Sequence, residues 1–175
     1  MPYYSFEGKS PSVEWTAYVH PDAVLIGDVR IGAGCYIAAG AVLRADWGQI
    51  DVGEGSNVQD NCVIHVFPDR VTALGPASHI AHGAIIHGAT LDRHAVVGIN
   101  ATVLDFAELG PDSVVGSNAL VPARMKVPAR SLAVGVPAKV VRELSPDELE
   151  QWRAATEAYQ DLAKRSRAGL HRLKD

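Results

Sequence analysis

The sequence predicts an all-β solenoid, a parallel β-helix built from hexapeptide repeats, which ends in a C-terminal α-helix. Two observations support this prediction: a six-residue aliphatic period through most of the chain, and a helix-start signal at Ser145. The period is marked by Val19, Leu25, Ile31, Ile37, Leu43, Val52, Val58, Ile64, Ile80, Ile86, Leu91, Val97, Val103, Leu109, Val115, Val121 and Val127. Insertions interrupt it after Leu43 and after Ile64, and it then keeps its phase from Leu91 to Val127.

A six-residue period matches neither the 3.6-residue period of an α-helix nor the two-residue alternation of a simple strand. It does match a parallel β-helix, in which each repeat forms one short strand and one corner, and stacked coils bury a column of aliphatic side chains. Small residues four positions further on, such as Ala23, Cys35 and Ala41, fit the tight corners. A β-sandwich with accidental periodicity is the alternative, but sandwiches vary their loop lengths whereas this chain holds its phase.

The C-terminal segment has the signature of an amphipathic helix. Ser145 suits the N-cap, Pro146 the first helical position and Glu148 the partner in a capping box. An apolar face follows at helical spacing, formed by Leu149, Trp152, Tyr159, Ala163, Leu170 and Leu173. We therefore expect a β-helix domain with an N-terminal cap at residues 1–140, and a helix at residues 141–175 that packs on the solenoid or on a neighbouring subunit.

Composition argues against several classes of partner. The formal net charge is −4, from 16 basic and 20 acidic residues, and no basic run suggests a nucleic-acid surface. The N-terminus lacks the regions of a signal peptide, and no apolar run approaches the roughly 20 residues needed to cross a bilayer. Cys35 and Cys62 occupy apolar repeat positions, which fits buried reduced thiols. We expect a cytoplasmic protein with no nucleic-acid or membrane partner.

Histidines are concentrated in one short stretch of the chain. His65, His79, His82 and His87 lie between Val58 and Gly88, beside Gln59 and Asp60. Imidazoles gathered on a rigid backbone predict a metal site, and neutral imidazole nitrogens suit zinc. Three protein ligands with an open fourth position are typical of catalytic zinc. We expect His79, like His20 and His94, to be a surface or corner residue instead of a ligand.

The motifs R-x-D, Q-D-x4-H and H-x4-H within these repeats resemble those of the γ-class carbonic anhydrases of the left-handed β-helix superfamily. The matching residues are Arg44 and Asp46, then Gln59, Asp60 and His65, then His82 and His87. Segments such as VHPDAVLIGDV and GVPAKVVRELS are most similar to the branch that contains the phenylacetate-degradation protein PaaY and the carnitine-operon protein CaiE. The likeness extends over nearly the whole chain, and it implies that the β-helix is left-handed.

The resemblance also implies a homotrimer with metal sites at its subunit interfaces. It implies zinc, or alternatively iron or cobalt, bound by His65 and His87 of one subunit and His82 of its neighbour. His82 and His87 are five residues apart, an odd offset that places them on different faces of a plain strand. One subunit would therefore not easily aim both at one ion.

Further site residues are implied by the same resemblance. Arg44 and Asp46 would form an intersubunit ion pair near the metal, and Gln59 would hydrogen-bond the metal-bound water or the substrate. Asp60 belongs to the matched motif beside Gln59. Tyr159 lies on the helix face, where relatives place a tyrosine; it either returns to the metal pocket or packs in the core.

Two small-molecule reactions are left open. The first is reversible CO2 hydration by zinc-bound hydroxide, and the second is hydrolysis of an acyl-CoA thioester of the PaaY type in phenylacetate degradation. A hexapeptide acyltransferase with one histidine as general base is a third function, and a metal-stabilised scaffold a fourth. Trp47 and the Phe67-Pro68 region stand where prototype γ-class enzymes carry glutamates. The absence of these glutamates weakens the case for fast hydration, because the proton released by the metal-bound water must leave the pocket. Asp69 is a candidate replacement for the missing acid.

Overall fold

The computed structural model describes residues 3–173 and shows a left-handed parallel β-helix followed by one α-helix. This confirms the fold class predicted from the hexads. Each coil contributes short strands to three faces, and each strand pairs in parallel with its equivalents in the neighbouring coils. We call these faces one, two and three, in the order in which the chain passes through them. The first corner lies between faces one and two, and the second corner between faces two and three.

Face one contains Tyr18–Val19, Tyr36–Ile37, Asn57–Val58, His79–Ile80, Val96–Val97, Val114–Val115 and Ser131–Gly135, with Ala138–Glu143 added antiparallel at its end. Two long strands, Val24–Ile31 and Val42–Val52, run around the second corner and belong to both faces two and three. Face two also contains Tyr3–Tyr4, Val63–His65, Ile85–His87, Thr102–Val103 and Leu120–Val121. Face three also contains Ser12–Val13, Val71–Leu74, Thr90–Leu91, Glu108–Leu109 and Lys126–Val127.

The core is the column of side chains that point inward from the three faces. Every aliphatic residue of the predicted hexad series is buried, as are the small corner residues Ala23 and Ala41. Cys35 and Cys62 are buried and free, as predicted. Leu74 belongs to the same core but was missed by the period, because an insertion precedes it. Apolar burial of this kind contributes roughly 25 cal/mol per Å² removed from water.

Both insertions that interrupt the period enlarge the second corner. In the first, Ala45 pairs with Gly27 and Gln49 with Asp28, so residues 46–48 have no equivalent in the preceding coil. In the second, the strand Val63–His65 ends well before Val71–Leu74 begins. Both interruptions of the period within residues 3–173 therefore add chain at the second corner.

The outward surfaces of the three faces differ in chemistry. Face one is covered by the C-terminal helix, whose Leu149 packs against Val96 and Val114. Face three presents mainly polar residues, including the Lys126–Glu108 ion pair at 2.9 Å. Face two presents Val63 and Ile85, both exposed. Face two is thus the apolar outer face of the isolated chain.

The C-terminal helix spans Pro146–Gly169. The predicted capping box is confirmed, since the Ser145 hydroxyl accepts from the Glu148 backbone and the Glu148 carboxylate accepts from the Ser145 backbone. Glu148 also forms a two-point ion pair with Arg142 at 2.6 and 2.8 Å. The prediction of the apolar helix face was wrong at its C-terminal end, because Leu170 and Leu173 lie beyond the helix and are exposed.

The predicted division after residue 140 falls within the strand Ala138–Glu143, and that division stays a prediction. Residues 1, 2, 174 and 175 lie outside the described part of the chain. Within residues 3–173, no helix is both long and apolar enough to span a membrane.

Replacing Ser145 with alanine should lower the free energy of unfolding by about 1 kcal/mol, because the helix loses its N-cap acceptor. Ser145→Asp keeps an acceptor at the same position and should stay close to the wild type. Urea unfolding followed by circular dichroism measures both variants. Equal destabilisation by Ser145→Ala and Ser145→Asp would contradict the capping explanation.

Candidate metal centre

The second corner brings together four of the predicted site residues. Strand pairing aligns Arg44 with His65 and His65 with His87 in three consecutive coils. Asp46, in the first insertion, accepts hydrogen bonds from Arg44 and from His65 Nε2, the latter at 2.8 Å. His65 Nδ1 lies 3.0 Å from His87 Nε2. Arg44 and Asp46 are paired here within one chain, and their predicted intersubunit pairing stays a prediction.

Asp105 completes this cluster and was missed by the sequence analysis. Its carboxylate accepts a hydrogen bond from His87 Nδ1. The two residues are 18 positions apart, one full coil of three hexads. A search for carboxylates one coil away from each histidine would have found Asp105. Gly88 allows the close approach, because a side chain there would collide with the Asp105 carboxylate.

The hydrogen bonds to the two carboxylates determine which ring nitrogens face each other. A carboxylate accepts hydrogen bonds, so neutral His65 carries its proton on Nε2 and neutral His87 on Nδ1. The nitrogens 3.0 Å apart, His65 Nδ1 and His87 Nε2, then present two lone pairs to each other. Such lone pairs repel unless a proton or a metal ion lies between them. Two histidine nitrogens on one tetrahedral zinc stand about 3.3 Å apart, given Zn–N bonds of about 2.0–2.1 Å.

The electrostatics of this cluster keep Asp46 ionised. Burial by itself raises the pKa of the Asp46 carboxyl, but the hydrogen bonds from His65 and Arg44 outweigh it and hold the pKa below its usual value. Metal-bound histidines commonly donate their second ring N–H to a carboxylate, which fixes the tautomer and raises the basicity of the ligand. The Asp46–His65 and His87–Asp105 pairs have this arrangement, so the donor set fits a divalent transition metal.

His82 lies at the first corner, across face two from His65 and His87. Its Nδ1 is 2.8 Å from an Asp60 carboxylate oxygen, and both side chains are about half exposed. Its Nε2 is therefore left available to bind a metal, as are Nδ1 of His65 and Nε2 of His87. Within residues 3–173, no group of three or more His, Cys, Asp or Glu side chains is placed to hold a metal ion. One chain alone thus offers a two-histidine half-site and a one-histidine half-site.

Gln59 lies beneath the C-terminal helix where face one meets the first corner, and Tyr159 belongs to that helix. Gln59 is only 2% exposed, and its amide nitrogen is 2.9 Å from both Asn57 Oδ1 and His79 Nε2. The Tyr159 ring packs against Tyr36 and against the edge of His79. Neither residue contacts the second-corner histidines within this chain. The expectation that His79 is a surface or corner residue was wrong: it lies in the strand His79–Ile80 and is buried, with Thr156 above it.

Aromatic residues surround the second corner. Trp47 is 55% exposed and lies 5.2 Å from the His65 ring, centroid to centroid. Phe67, in the second insertion, packs edge-on against Phe106, and the Arg124 guanidinium lies 5.1 Å from the Phe106 centroid. Beyond them a groove of about 420 Å³ runs onto face three, lined by Arg70, Gly88, Phe106 and Arg124 among others. Trp47 and Phe67 were identified from the sequence, but this groove was not.

A family model and two solved structures show the class of protein to which this chain is similar. The family model described as bacterial transferase hexapeptide (six repeats) matches residues 16–45. A solved hexapeptide transferase family protein from Anaplasma phagocytophilum has a TM-score of 0.90 at 36% identity, over 97% of this chain and 98% of that one. A Bacillus cereus protein of proposed acetyltransferase activity has a TM-score of 0.93 at 28% identity, over 95% and 96%. The fold and its corners thus define a hexapeptide-repeat protein.

A relative of higher sequence identity shows which branch of the hexapeptide-repeat proteins this chain belongs to. The carnitine operon protein CaiE of Escherichia coli is 47% identical over 171 residues, which cover 98% of this chain and 87% of that protein. The chain therefore belongs to the hexapeptide-repeat transferase family, in the branch that contains CaiE. The likeness to γ-class carbonic anhydrases stays a prediction.

The buried His79 should make stability depend on pH. Burial, with a smaller contribution from His82, lowers the pKa of His79 to about 4, whereas an unfolded histidine titrates near 6.5. The native state then binds fewer protons, so this stability is complete above about pH 6.5 and is lost as the pH falls towards about 4. His79→Gln should flatten this part of the profile, measured by urea unfolding at a series of pH values.

The exposed His171 provides the control, since His171→Gln should leave the profile unchanged. Parallel stability profiles for the wild type and His79→Gln would contradict a neutral buried His79.

Proposed function

We propose that this protein is a γ-carbonic anhydrase-like metalloenzyme that catalyses reversible CO2 hydration. The observation that supports this most is the pairing of each candidate ligand histidine with a carboxylate: Asp46 with His65, Asp105 with His87 and Asp60 with His82. In all three, one ring nitrogen is used by the carboxylate and the other is left as a donor for a metal. A purely structural histidine needs no such arrangement.

The two half-sites lie on opposite edges of face two, and this supports a cyclic homotrimer. In a cyclic assembly the contact is heterologous, so one edge of a subunit meets the opposite edge of the next. Face two is also where Val63 and Ile85 are exposed, as an interface that excludes water requires. Three subunits packed by face two would bring His82 of each next to His65 and His87 of its neighbour, and each metal would have three histidine ligands.

The residues of the chain have separate roles in this proposal. His65, His87 and the neighbour's equivalent of His82 would hold zinc, with iron or cobalt as alternatives. Zinc, when bound, lowers the pKa of a coordinated water to about 7 and so supplies a nucleophile at neutral pH. The carboxylates of Asp46, Asp105 and Asp60 accept hydrogen bonds from the ring N–H groups and so keep each ligand histidine in one tautomer. Gln59, at the first corner, would orient the reacting water.

The shared-site hypothesis predicts that His82→Ala lowers metal content as strongly as His65→Ala, although the two residues make no contact within one chain. Each should reduce bound zinc from about one per subunit to a small fraction, because two ligands bind zinc far more weakly than three. Metal analysis together with mass measurement of the assembly tests this. The exposed His171→Ala serves as the control and should retain the metal.

Full zinc in His82→Ala, with the trimer intact, would exclude the shared site. A monomer that binds zinc would exclude it equally.

A second candidate function is hydrolysis of an acyl-CoA thioester. The observation in its favour is the groove next to the second corner, where Val71 and Phe106 provide apolar surface and Arg70 and Arg124 outnumber the one acidic residue, Glu108. Trp47 and Phe67 add aromatic surface between this groove and the histidines. CO2 needs neither a groove of this size nor cationic groups, whereas an amphiphilic anionic substrate uses both. An acyltransferase would need one histidine as general base, which leaves the other carboxylate-paired histidines without a role.

Trp47→Glu separates the two reactions. A proton shuttle limits turnover only when hydration is fast, so a carboxylate at position 47 beside His65 should raise CO2 hydration severalfold in weak buffer. In the thioesterase, Trp47 lines the apolar part of the pocket, so the same change should lower acyl-CoA turnover. Stopped-flow hydration and thiol release are measured on the same zinc-loaded preparations, with Trp47→Phe as the apolar control.

Loss of thioesterase activity with no gain in hydration would count against the carbonic anhydrase. A gain in hydration with thioester turnover unchanged would count against the thioesterase.

A further inference from the structure

A buried polar cluster lies between face one and the C-terminal helix. It consists of Asn57, Gln59, His79 and Thr156, none of which is more than 5% exposed. Buried polar groups are almost always hydrogen-bonded, so the directions of their bonds are constrained. Three of these residues play no part in the metal half-sites, and the fourth, Gln59, is the residue given the role of orienting water.

Thr156 is the residue of the C-terminal helix that constrains the direction of the hydrogen bonds. Its hydroxyl donates to the Trp152 carbonyl at 3.1 Å and so uses its one hydrogen. Its oxygen lies 3.4 Å from His79 Nδ1 and is then available only as an acceptor. His79 is neutral near pH 7, because burial lowers its pKa to about 4, and a neutral ring has one N–H. His79 therefore carries its proton on Nδ1 and presents a lone pair at Nε2.

This lone pair determines the orientation of the Gln59 carboxamide. The amide nitrogen of Gln59 lies 2.9 Å from His79 Nε2 and 2.9 Å from Asn57 Oδ1, so each of its hydrogens has an acceptor. With Asn57 oriented to present its oxygen, the reverse orientation would place the Gln59 oxygen against two acceptors. The Asn57 amide nitrogen is the one mismatched contact, and at 3.2 Å it lies closer to His79 Nδ1 than the Thr156 oxygen does at 3.4 Å. The other tautomer would place an Nε2–H against the Gln59 amide nitrogen at the shorter distance of 2.9 Å, which is the larger mismatch.

The carboxamide oxygen of Gln59 is left for other partners. It accepts no hydrogen bond from residues 3–173, and it is not among the buried side-chain atoms that lack a partner. Gln59 precedes Asp60, whose carboxylate binds His82, so this oxygen belongs to the same corner as that half-site. It is an acceptor and binds a hydrogen-bond donor such as water or a hydroxyl group, not an oxyanion.

We propose that the C-terminal helix acts as a positioning element for the candidate site: Thr156 and His79 hold Gln59 so that it presents its oxygen to a donor. Thr156 and His79 are positioning residues, since neither needs to contact substrate. Gln59 would thus orient the attacking water through an accepted hydrogen bond and would not stabilise a negatively charged oxygen. Only this last role rests on the proposed function; the orientation of Gln59 does not.

Two threonine variants test the positioning. Thr156→Val keeps the shape of the side chain and removes the hydroxyl, whereas Thr156→Ser keeps the hydroxyl. ¹⁵N NMR of the zinc-loaded protein reports the His79 tautomer and the Gln59 side-chain amide. We expect Nδ1–H in the wild type and in Thr156→Ser. In Thr156→Val we expect a mixture of tautomers and a second Gln59 amide signal.

CO2 hydration is measured on the same preparations. Loss of one orienting hydrogen bond should lower kcat about three- to tenfold in Thr156→Val, with KM and zinc content unchanged, while Thr156→Ser stays near the wild type. If Thr156→Val only lowered the stability of the protein, its folded molecules would keep the wild-type kcat and the wild-type His79 tautomer.

The proposal is overturned if wild-type His79 carries its proton on Nε2, or if Thr156→Val leaves both the tautomer and the Gln59 amide unchanged. The expected NMR pattern in a protein that does not hydrate CO2 would support the positioning and would overturn the proposed function instead.

Discussion

The in-register stacking of coils is the constraint on which the rest of this structure depends. In a parallel ladder every residue lies directly above its equivalent in the previous coil, so inward aliphatic residues form one continuous column. The same register acts on outward side chains. It places Arg44 opposite His65 and His65 opposite His87 at the second corner, although they are about 20 residues apart in sequence. A histidine cluster therefore needs no special loop, only equivalent positions in consecutive coils.

The departures from the repeat are as informative as the repeat. Regular corners are tight and filled by small residues, and a tight corner has no room for a substrate. The insertions at residues 46–48 and after His65 give the second corner Asp46, Trp47 and Phe67. Face two between the corners stays regular and apolar, as a flat contact surface requires. The extra chain is thus placed where it can form a pocket without disturbing the ladder.

The fold was predictable because hydrophobic periodicity reports the inward positions directly, and the helix start at Ser145 was readable because capping is a local interaction. The end of the helix was not, since Leu170 and Leu173 continue the apolar pattern but lie beyond Gly169 and are exposed. Asp105 was missed because its partner His87 lies one coil away and no short motif joins them. His79 was misplaced because only the returning helix, 77 residues later at Thr156, buries it.

The partners of the histidines divide them into two chemical kinds. His65, His82 and His87 each have a carboxylate, which binds one ring N–H and leaves the other ring nitrogen to bind a metal. His79 has only amide and hydroxyl partners in a buried site, which favours the neutral ring and a fixed tautomer. Under the proposed function, the three metal donors lie on two edges of face two, so no chain completes its site alone. Metal binding and trimer assembly would then be one coupled equilibrium, because a metal that binds only the assembled form stabilises it by mass action.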